Sequence, residues 1–349
     1  MSHIIASLRH AASRAYRAFV PYGLRRELWY RRNTGQSYAA SLPSKISLPS
    51  DAETEPIHEA FAVDVDISLA KPHDGVTTDA RDLKIPRVKI IILSYNNPLY
   101  LRLTLKSILE KTTYACYEVL IVDNGSAPAS ITMLTEMAAT HPRIKVLCNK
   151  HNLGFSGGIN VGLREATDAD IIVLLNDDVI VTAGWLTRLV GHLSDFTIGM
   201  VGPVTSFTSN AARIPIDYTR IEDIERFAQT YTSKHRQETF DVAMFPMFCV
   251  ALRRETINTI GLLDERFKYG MFEDDDYALR LQMQGYRIVC ARDVFVHHFG
   301  GASFSKIEAV RFKAIFEANR SAFEEKWQRT WTPPSIYAGA SLSDAVTDA

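Results

Sequence analysis

No apolar run in this chain reaches the roughly 18 residues that a membrane-spanning helix needs. Cysteine is scarce, with four in 349 residues, at positions 116, 148, 249 and 290. Their spacing fits no zinc motif, and three of them sit in apolar runs, as core residues of a reducing compartment do. Charge of one sign is also missing. The net charge is −1, so nothing favours nucleic acid, and none is expected as a partner. No internal repeat is evident. Nor is there a compact apolar leader followed by a small-residue cleavage site. These absences predict a globular protein of the cytoplasm. A composition of 46% hydrophobic and 23% charged residues agrees with that.

The stretch around which the rest is organised is 171–181, Ile-Ile-Val-Leu-Leu-Asn-Asp-Asp-Val-Ile-Val. Its apolar, β-branched start reads as a strand buried on both faces. Asn176-Asp177-Asp178 then stand where ligands sit in open α/β sheets, beyond the carboxyl end of a strand. Two carboxylates there suit a hard cation such as Mg²⁺ or Mn²⁺. Taken alone, the same three residues also read as a surface turn.

Strands are predicted over 88–93, 117–122, 144–147 and 170–175. Helices intervene: one opening at Asn97-Pro98, one around Ile131, Leu134 and Ala138, and one over 158–166. This alternation predicts a parallel sheet with helices on its faces. Polar residues gather at the strand ends: Ser94-Tyr95-Asn96, Asp123-Asn124, the stretch 152–160, and Asn176 to Asp178. All would lie along one sheet edge. The stretch 154–158, Gly-Phe-Ser-Gly-Gly, fits neither Gly-x-Gly-x-x-Gly nor a P-loop, so a dinucleotide or ATP site is not supported. Further on, a short strand is expected over 199–204, a helix over 254–260 closed by Gly261, and an acid-rich helix start at Phe272-Glu273-Asp274-Asp275-Asp276. Acids in a first helical turn also stabilise the helix dipole locally. The predicted boundaries are a basic segment 1–32, a linker 33–85, a catalytic domain 86–305, an amphipathic helix 306–332 and a tail 333–349.

Segment 1–32 holds seven Arg, no Lys and a single acid, Glu27. Wound as a helix, Ile4, Ile5, Leu8, Ala12, Ala15, Tyr16 and Phe19 face one way and Arg9, Arg14 and Arg17 the other. Such a segment suits peripheral contact with the anionic inner face of a cell membrane. A helix docked on the protein's own body, or an organellar transit peptide, has the same pattern.

Together these blocks resemble the inverting glycosyltransferase family 2, which has the GT-A fold, and its rhamnosyltransferase-like members. The matching residues are Ser94-Tyr95-Asn96, Asp123-Asn124-Gly125-Ser126, Asn152 with Gly154, Gly157, Gly158 and Asn160, Asn176-Asp177-Asp178, Glu273-Asp274 with Asp276, and His298 with Gly300-Gly301. The resemblance implies that Tyr95 and Asn96 line a nucleoside pocket and that Asp123 hydrogen-bonds base or ribose. It implies that Asn152 and the 154–158 turn approach the nucleotide, with Asn160 also on the substrate side. Asp178 would be the main metal ligand, with Asp177 positioning the sugar. His298 would be a further ligand, and His297 is its neighbouring alternative. Asp274 would be the base and Glu273 would bind acceptor hydroxyls. The family's usual Asp-x-Asp is Asn176-Asp177-Asp178 here, with an amide in place of the first acid.

The chemistry implied is transfer of a hexosyl or rhamnosyl group from a UDP- or dTDP-sugar to a glycan or lipid-linked glycan, in the making of surface polysaccharide. A divalent cation would neutralise the departing diphosphate, and a carboxylate on the opposite face would take the acceptor's proton. Alternatives are a sugar nucleotidyltransferase, which would need an Arg-containing Gly-rich loop after the first strand, and a non-catalytic binding protein of the same fold. A hydrolase using Glu273 and Asp274 is disfavoured, because adjacent residues of one helical turn do not flank a glycosidic bond.

Overall fold

A computed structural model describes residues 85–208, 210–267, 270–300 and 309–332. The basic segment 1–32, nearly all of the expected linker, Gly301 and the tail lie outside the described residues. The chain divides into two compact units, Pro49–Pro215 with Ile224–Ala349, and Met1–Leu48 with Ile216–Asp223. Of the second unit only 216–223 are described, with one 3-10 turn at Ile221–Asp223. Everything below concerns the first.

Apolar, β-branched runs form its strands. Val88–Ser94 (β1), Tyr117–Asp123 (β2), Ile144–Cys148 (β3) and Ile171–Asn176 (β4) lie in the order β3-β2-β1-β4, all parallel. β1 and β4 are buried along nearly their whole length, as strands covered on both faces must be. The intervening helices are Pro98–Lys111 (α1), Pro128–Thr140 (α2) and Gly154–Glu165 (α3). α1 and α2 open on proline, whose missing N–H loses no bond in a first turn. α3 begins earlier than the expected 158. Gly154, at φ +76°, makes the entry, and two of the following glycines, Gly158 and Gly162, are packing residues. A Cβ on Gly158 would overlap Leu93 of β1, and one on Gly162 would stand 2.6 Å from Ile91. The turn expected over 154–158 is therefore the first turn of a helix pressed onto the sheet.

The strand expected over 170–175 ends, as read, where Asp177-Asp178 begin. Val179–Val181 (β5) continues, followed by Trp185–His192 (α4), Ile198–Thr205 (β6), Ile224–Lys234 (α5), Thr239–Asp241 (β7), Cys249–Arg253 (β8), Arg254–Ile260 (α6), Glu273–Met283 (α7), Arg287–His298 (β9) and Ala309–Trp327 (α8). The nine-stranded sheet runs β3-β2-β1-β4-β8-β6-β9-β5, with β7 on β9. β8 enters antiparallel between β4 and β6, and β5 and β7 pair antiparallel with β9. The three longest ladders are parallel, so the mixed sheet is mostly parallel. The stretches 287–290 and 294–296 belong to one strand, whose register with β6 slips between Pro203 and Val204. Core placement holds for two cysteines rather than three: Cys249 and Cys290 are buried, Cys116 is half-buried and Cys148 exposed, all free thiols. Among the described residues no helix is long and apolar enough to cross a membrane.

Candidate active site

Register brings the polar strand ends to one edge. Ser94 pairs with Asp123, and Leu93 with Asn176. The loops beyond are sewn together. Asn96, at φ +49°, donates its N–H to Ser126 Oγ at 2.9 Å and accepts the Ala127 N–H on Oδ1 at 2.8 Å. Its neighbour Tyr95 is 45% exposed, so its ring is open to a ligand. Asp123 is fully buried. Its Oδ2 accepts the N–H groups of Gly125 and Ser126 at 3.1 and 3.0 Å, whereas its Oδ1 is buried without a protein donor. A buried acceptor left unmade is costly, and an N–H or O–H of a bound molecule would satisfy it.

Asn124 was legible only as part of a motif, yet it organises the neighbouring loop. Its Nδ2 donates to Asn152 Oδ1 and the Gly154 carbonyl, both at 3.0 Å, and its Oδ1 accepts from Asn149 Nδ2 and the Leu153 N–H. Asn152 Oδ1 also accepts the Gly154 N–H at 2.8 Å. Asn160 is committed elsewhere. From inside α3 it donates to the Leu263 carbonyl and Glu265 Oε1 and accepts the Leu263 N–H, each at 2.9 Å. It ties α3 to the segment ahead of α7.

Asp177 and Asp178 diverge. Asp177 accepts from Ser94 Oγ at 2.8 Å and Asn97 Nδ2 at 3.1 Å, while its carbonyl accepts from Thr104 Oγ1 at 2.9 Å. It fastens the end of β1 and the start of α1 to the tip of β4. Asp178 is met by β9, because the β5–β9 pairing sets Val179 opposite His298. His298 Nε2 lies 3.2 Å from Asp178 Oδ1, and its Nδ1 lies 2.9 Å from the Phe207 carbonyl oxygen. A carbonyl only accepts, so Nδ1 carries a proton. Burial opposes a charged imidazole, but Asp178 outweighs it and holds the ring's pKa above the ordinary value. His297 alternates to the other side of the strand, edge-on to Phe299 at 4.6 Å between centroids, and burial pulls its pKa down to about 3. Tyr100 of α1 reaches the same corner. Burial first, then the charge of Asp178, raises its phenol pKa.

The residues fit a divalent cation. His298 Nε2 faces a carboxylate oxygen and has no hydrogen-bond partner in good geometry, so a neutral ring would aim its lone pair at that oxygen. A nitrogen lone pair and a carboxylate turned to one point suit a metal ion. Among the described residues no third His, Cys, Asp or Glu joins them. Mg²⁺ and Mn²⁺ accept such sparse seats when substrate phosphates and water complete the shell.

The acid-rich helix adjoins this corner through two consecutive residues. The Met247 N–H donates to Asp274 Oδ1 at 3.2 Å. The Phe248 ring stacks on His298, 4.9 Å between centroids and 12° from parallel. Glu273 is buried with Oε2 unpartnered, and burial, then the Asp274 charge, raises its pKa well above the carboxylate range. Asp274 is pushed up to about 7, by burial first and then by Asp275. Asp276, fully buried, accepts from Arg280 Nε at 2.9 Å and Trp327 Nε1 at 3.0 Å and pairs with Lys326 at 2.5 Å. It is a structural anchor.

A mostly parallel α/β sheet ending in a carboxylate–histidine pair beside a helix of perturbed acids has the architecture of the GT-A fold. Residues 89–261 match the sequence profile of Glycosyl transferase family 2, and they are a domain of that family. The chain is 30% identical over 223 residues to the O-antigen biosynthesis protein RfbC of Myxococcus xanthus, a match covering 61% of this chain and 17% of that one. It is 28% identical over 229 residues to a pre-mycofactocin glycosyltransferase of Mycobacterium tuberculosis, covering 64% and 44%. The chain thus spans less than half the length of these relatives. The crystal structure of GalNAc-T7 with UDP, GalNAc and Mn²⁺ superposes with a TM-score of 0.51 at 16% identity, over 62% of this chain and 44% of that one, which shows the shared fold.

Proposed function

We propose that this domain is an inverting, cation-assisted glycosyltransferase. It moves a hexosyl or rhamnosyl group from a UDP- or dTDP-sugar to a hydroxyl of a glycan or lipid-linked glycan. The observation that carries this reading is the join at Met247-Phe248, which sets a carboxylate of pKa about 7 next to the Asp178–His298 corner. The relative named for O-antigen biosynthesis supports an acceptor in surface polysaccharide. The basic segment 1–32 would keep the protein at a membrane surface where lipid-linked acceptors reside.

The donor's nucleoside would lie against Tyr95 and Asn96, with a base or ribose donor on Asp123 Oδ1. Gly154, whose N–H Asn152 holds, would with Gly157 and Gly158 present the start of α3 to the nucleotide. Asp178 and His298 would hold Mg²⁺ or Mn²⁺. A cation there would neutralise charge on the leaving diphosphate. Asp177 and Asn160 would act indirectly, by keeping this edge in place.

Asp274 would accept the proton of the attacking hydroxyl. The new C–O bond forms at the anomeric carbon while the bond to the diphosphate breaks on the opposite face. The diphosphate leaves with the electron pair, and the proton ends on Asp274. A base with a pKa near the working pH is well matched to this step. Glu273, whose carboxyl burial and the Asp274 charge hold well above the ordinary carboxylate range, would hydrogen-bond an acceptor hydroxyl and orient it. Incubation with UDP- and dTDP-hexoses, following nucleotide release, tests the reading. Release that needs Mg²⁺ or Mn²⁺ and disappears in Asp274→Asn supports it. Undiminished release in Asp274→Asn removes the base.

A further inference from the structure

The chain that follows the family domain reaches back onto the helix that bears the proposed base. Gly270, Met271 and Phe272, which lead into α7, all take left-handed φ, at 86°, 76° and 75°. Two of them are not glycine, and each such residue is strained by about 1–3 kcal/mol unless its surroundings impose it. The surroundings come from the C-terminal segment. Asn319 of α8, nearly buried, donates from Nδ2 to the carbonyls of Gly270 at 2.9 Å and Met271 at 3.0 Å. Phe316 and Phe323 of α8, with Trp331 beyond it, pack on the Phe272 ring at 5.1, 5.7 and 5.0 Å between centroids. Trp331 Nε1 then donates to Asp275 Oδ1 at 2.9 Å.

We infer that Trp331 and Asp275 form a positioning pair for Asp274: the indole fixes the adjacent carboxylate, and with Asn319 it holds the first turn of α7 in the orientation the base requires. The inference rests on the reading of Asp274 as base. Neither residue needs to touch substrate.

The groups acting on Asp274 are few. Glu273 and Asp275 flank it on its own helix, and the Met247 N–H faces it from the segment before β8. The nearby cations are committed to other acids: Arg280 to Asp276, and Lys326 to Asp276 and Asp264. The negative charge of Asp275, steadied by the indole N–H, is thus a main influence on how strongly Asp274 holds a proton, after burial itself. That tuning reaches the base from outside the segment 89–261.

The test uses the full chain with ¹³C-carboxyl-labelled aspartate, the Asp274 signal being the one absent from Asp274→Asn. Asp275→Asn keeps an oxygen for the indole and removes the charge. The Asp274 midpoint is then expected to fall by roughly one pH unit or more. Trp331→Phe keeps the ring against Phe272 and removes the N–H. Release of UDP or dTDP from their hexose conjugates should slow about tenfold or more, while the dissociation constant for free UDP or dTDP stays within about twofold. An unmoved Asp274 midpoint in Asp275→Asn overturns the inference. So does a Trp331→Phe enzyme with an unchanged rate, or one whose rate and nucleotide affinity fall together. If both variants behave as expected but Asp274→Asn still turns over donor, the pair stands and the assignment of the base falls.

Discussion

Phe248 stacks on His298 at 4.9 Å between ring centroids, and its chain neighbour Met247 holds Asp274 by a backbone N–H. One dipeptide therefore sets the spacing between two chemistries that come from distant parts of the sequence. Its position follows from β8, which slots antiparallel beside β4 and lets the Phe248 carbonyl accept the Asn176 N–H at 2.8 Å.

Replacing the base should separate binding from chemistry. Asp274→Asn is expected to lower transfer by about 10²–10⁴-fold, with affinity for UDP or dTDP within about twofold of wild type. Calorimetric titration beside a turnover assay checks this. Equal loss of both would remove Asp274 from the chemical step.

The same substitution should stabilise the fold, with a definite pH dependence. The Asp274 carboxyl has its pKa raised from 3.8 to about 7, so the folded chain binds a proton that the unfolded chain has released. Its stabilising contribution is fully present below pH ~4 and lost as pH rises through ~7. Asp274→Asn should therefore melt roughly 3–6 °C above wild type at pH 8, with the gap closing toward pH 4. Thermal unfolding across that range decides it. A gap that is the same at both ends contradicts the perturbed acid.

Much of this was legible in the sequence, and the misses have physical causes. The parallel strands were found because runs such as 90–93 and 171–175 are continuously apolar and rich in β-branched residues. The strand-end clusters followed from the rule that such sheets bind ligands at their carboxyl edge. The helical start at Gly154 was not legible, nor was the packing of Gly158, whose Cβ would fall where Leu93 of β1 lies, a contact no local pattern announces. The partners of Asn160 and Asp177 were likewise out of reach, since Leu263 and Ser94 lie far from them in sequence. Choosing between His297 and His298 required the β5–β9 register, which points His298 at Asp178.

Gly158→Ala tests the packing reading directly. Its methyl would overlap Leu93 on β1, and overpacking of this kind costs about 1–3 kcal/mol. The urea midpoint should fall accordingly with an unchanged slope. A variant as stable as wild type would mean that α3 can lift off β1.

Deleting residues 1–32 should release the protein from vesicles containing anionic lipid, while donor turnover in solution persists. Co-sedimentation with phosphatidylserine vesicles checks this. Full binding by the shortened chain would show that residues 1–32 are not the membrane contact.

The most direct test of the central claim is nucleotide binding followed by thermal shift. UDP and dTDP are each added with and without Mn²⁺ to wild type and to Asp178→Ala, since a ligand of the folded state alone must raise the melting temperature. A shift that requires Mn²⁺ in wild type and vanishes in Asp178→Ala is the predicted result. An equal shift with and without the cation, or one that survives intact in Asp178→Ala, would contradict the cation seat at Asp178 and His298.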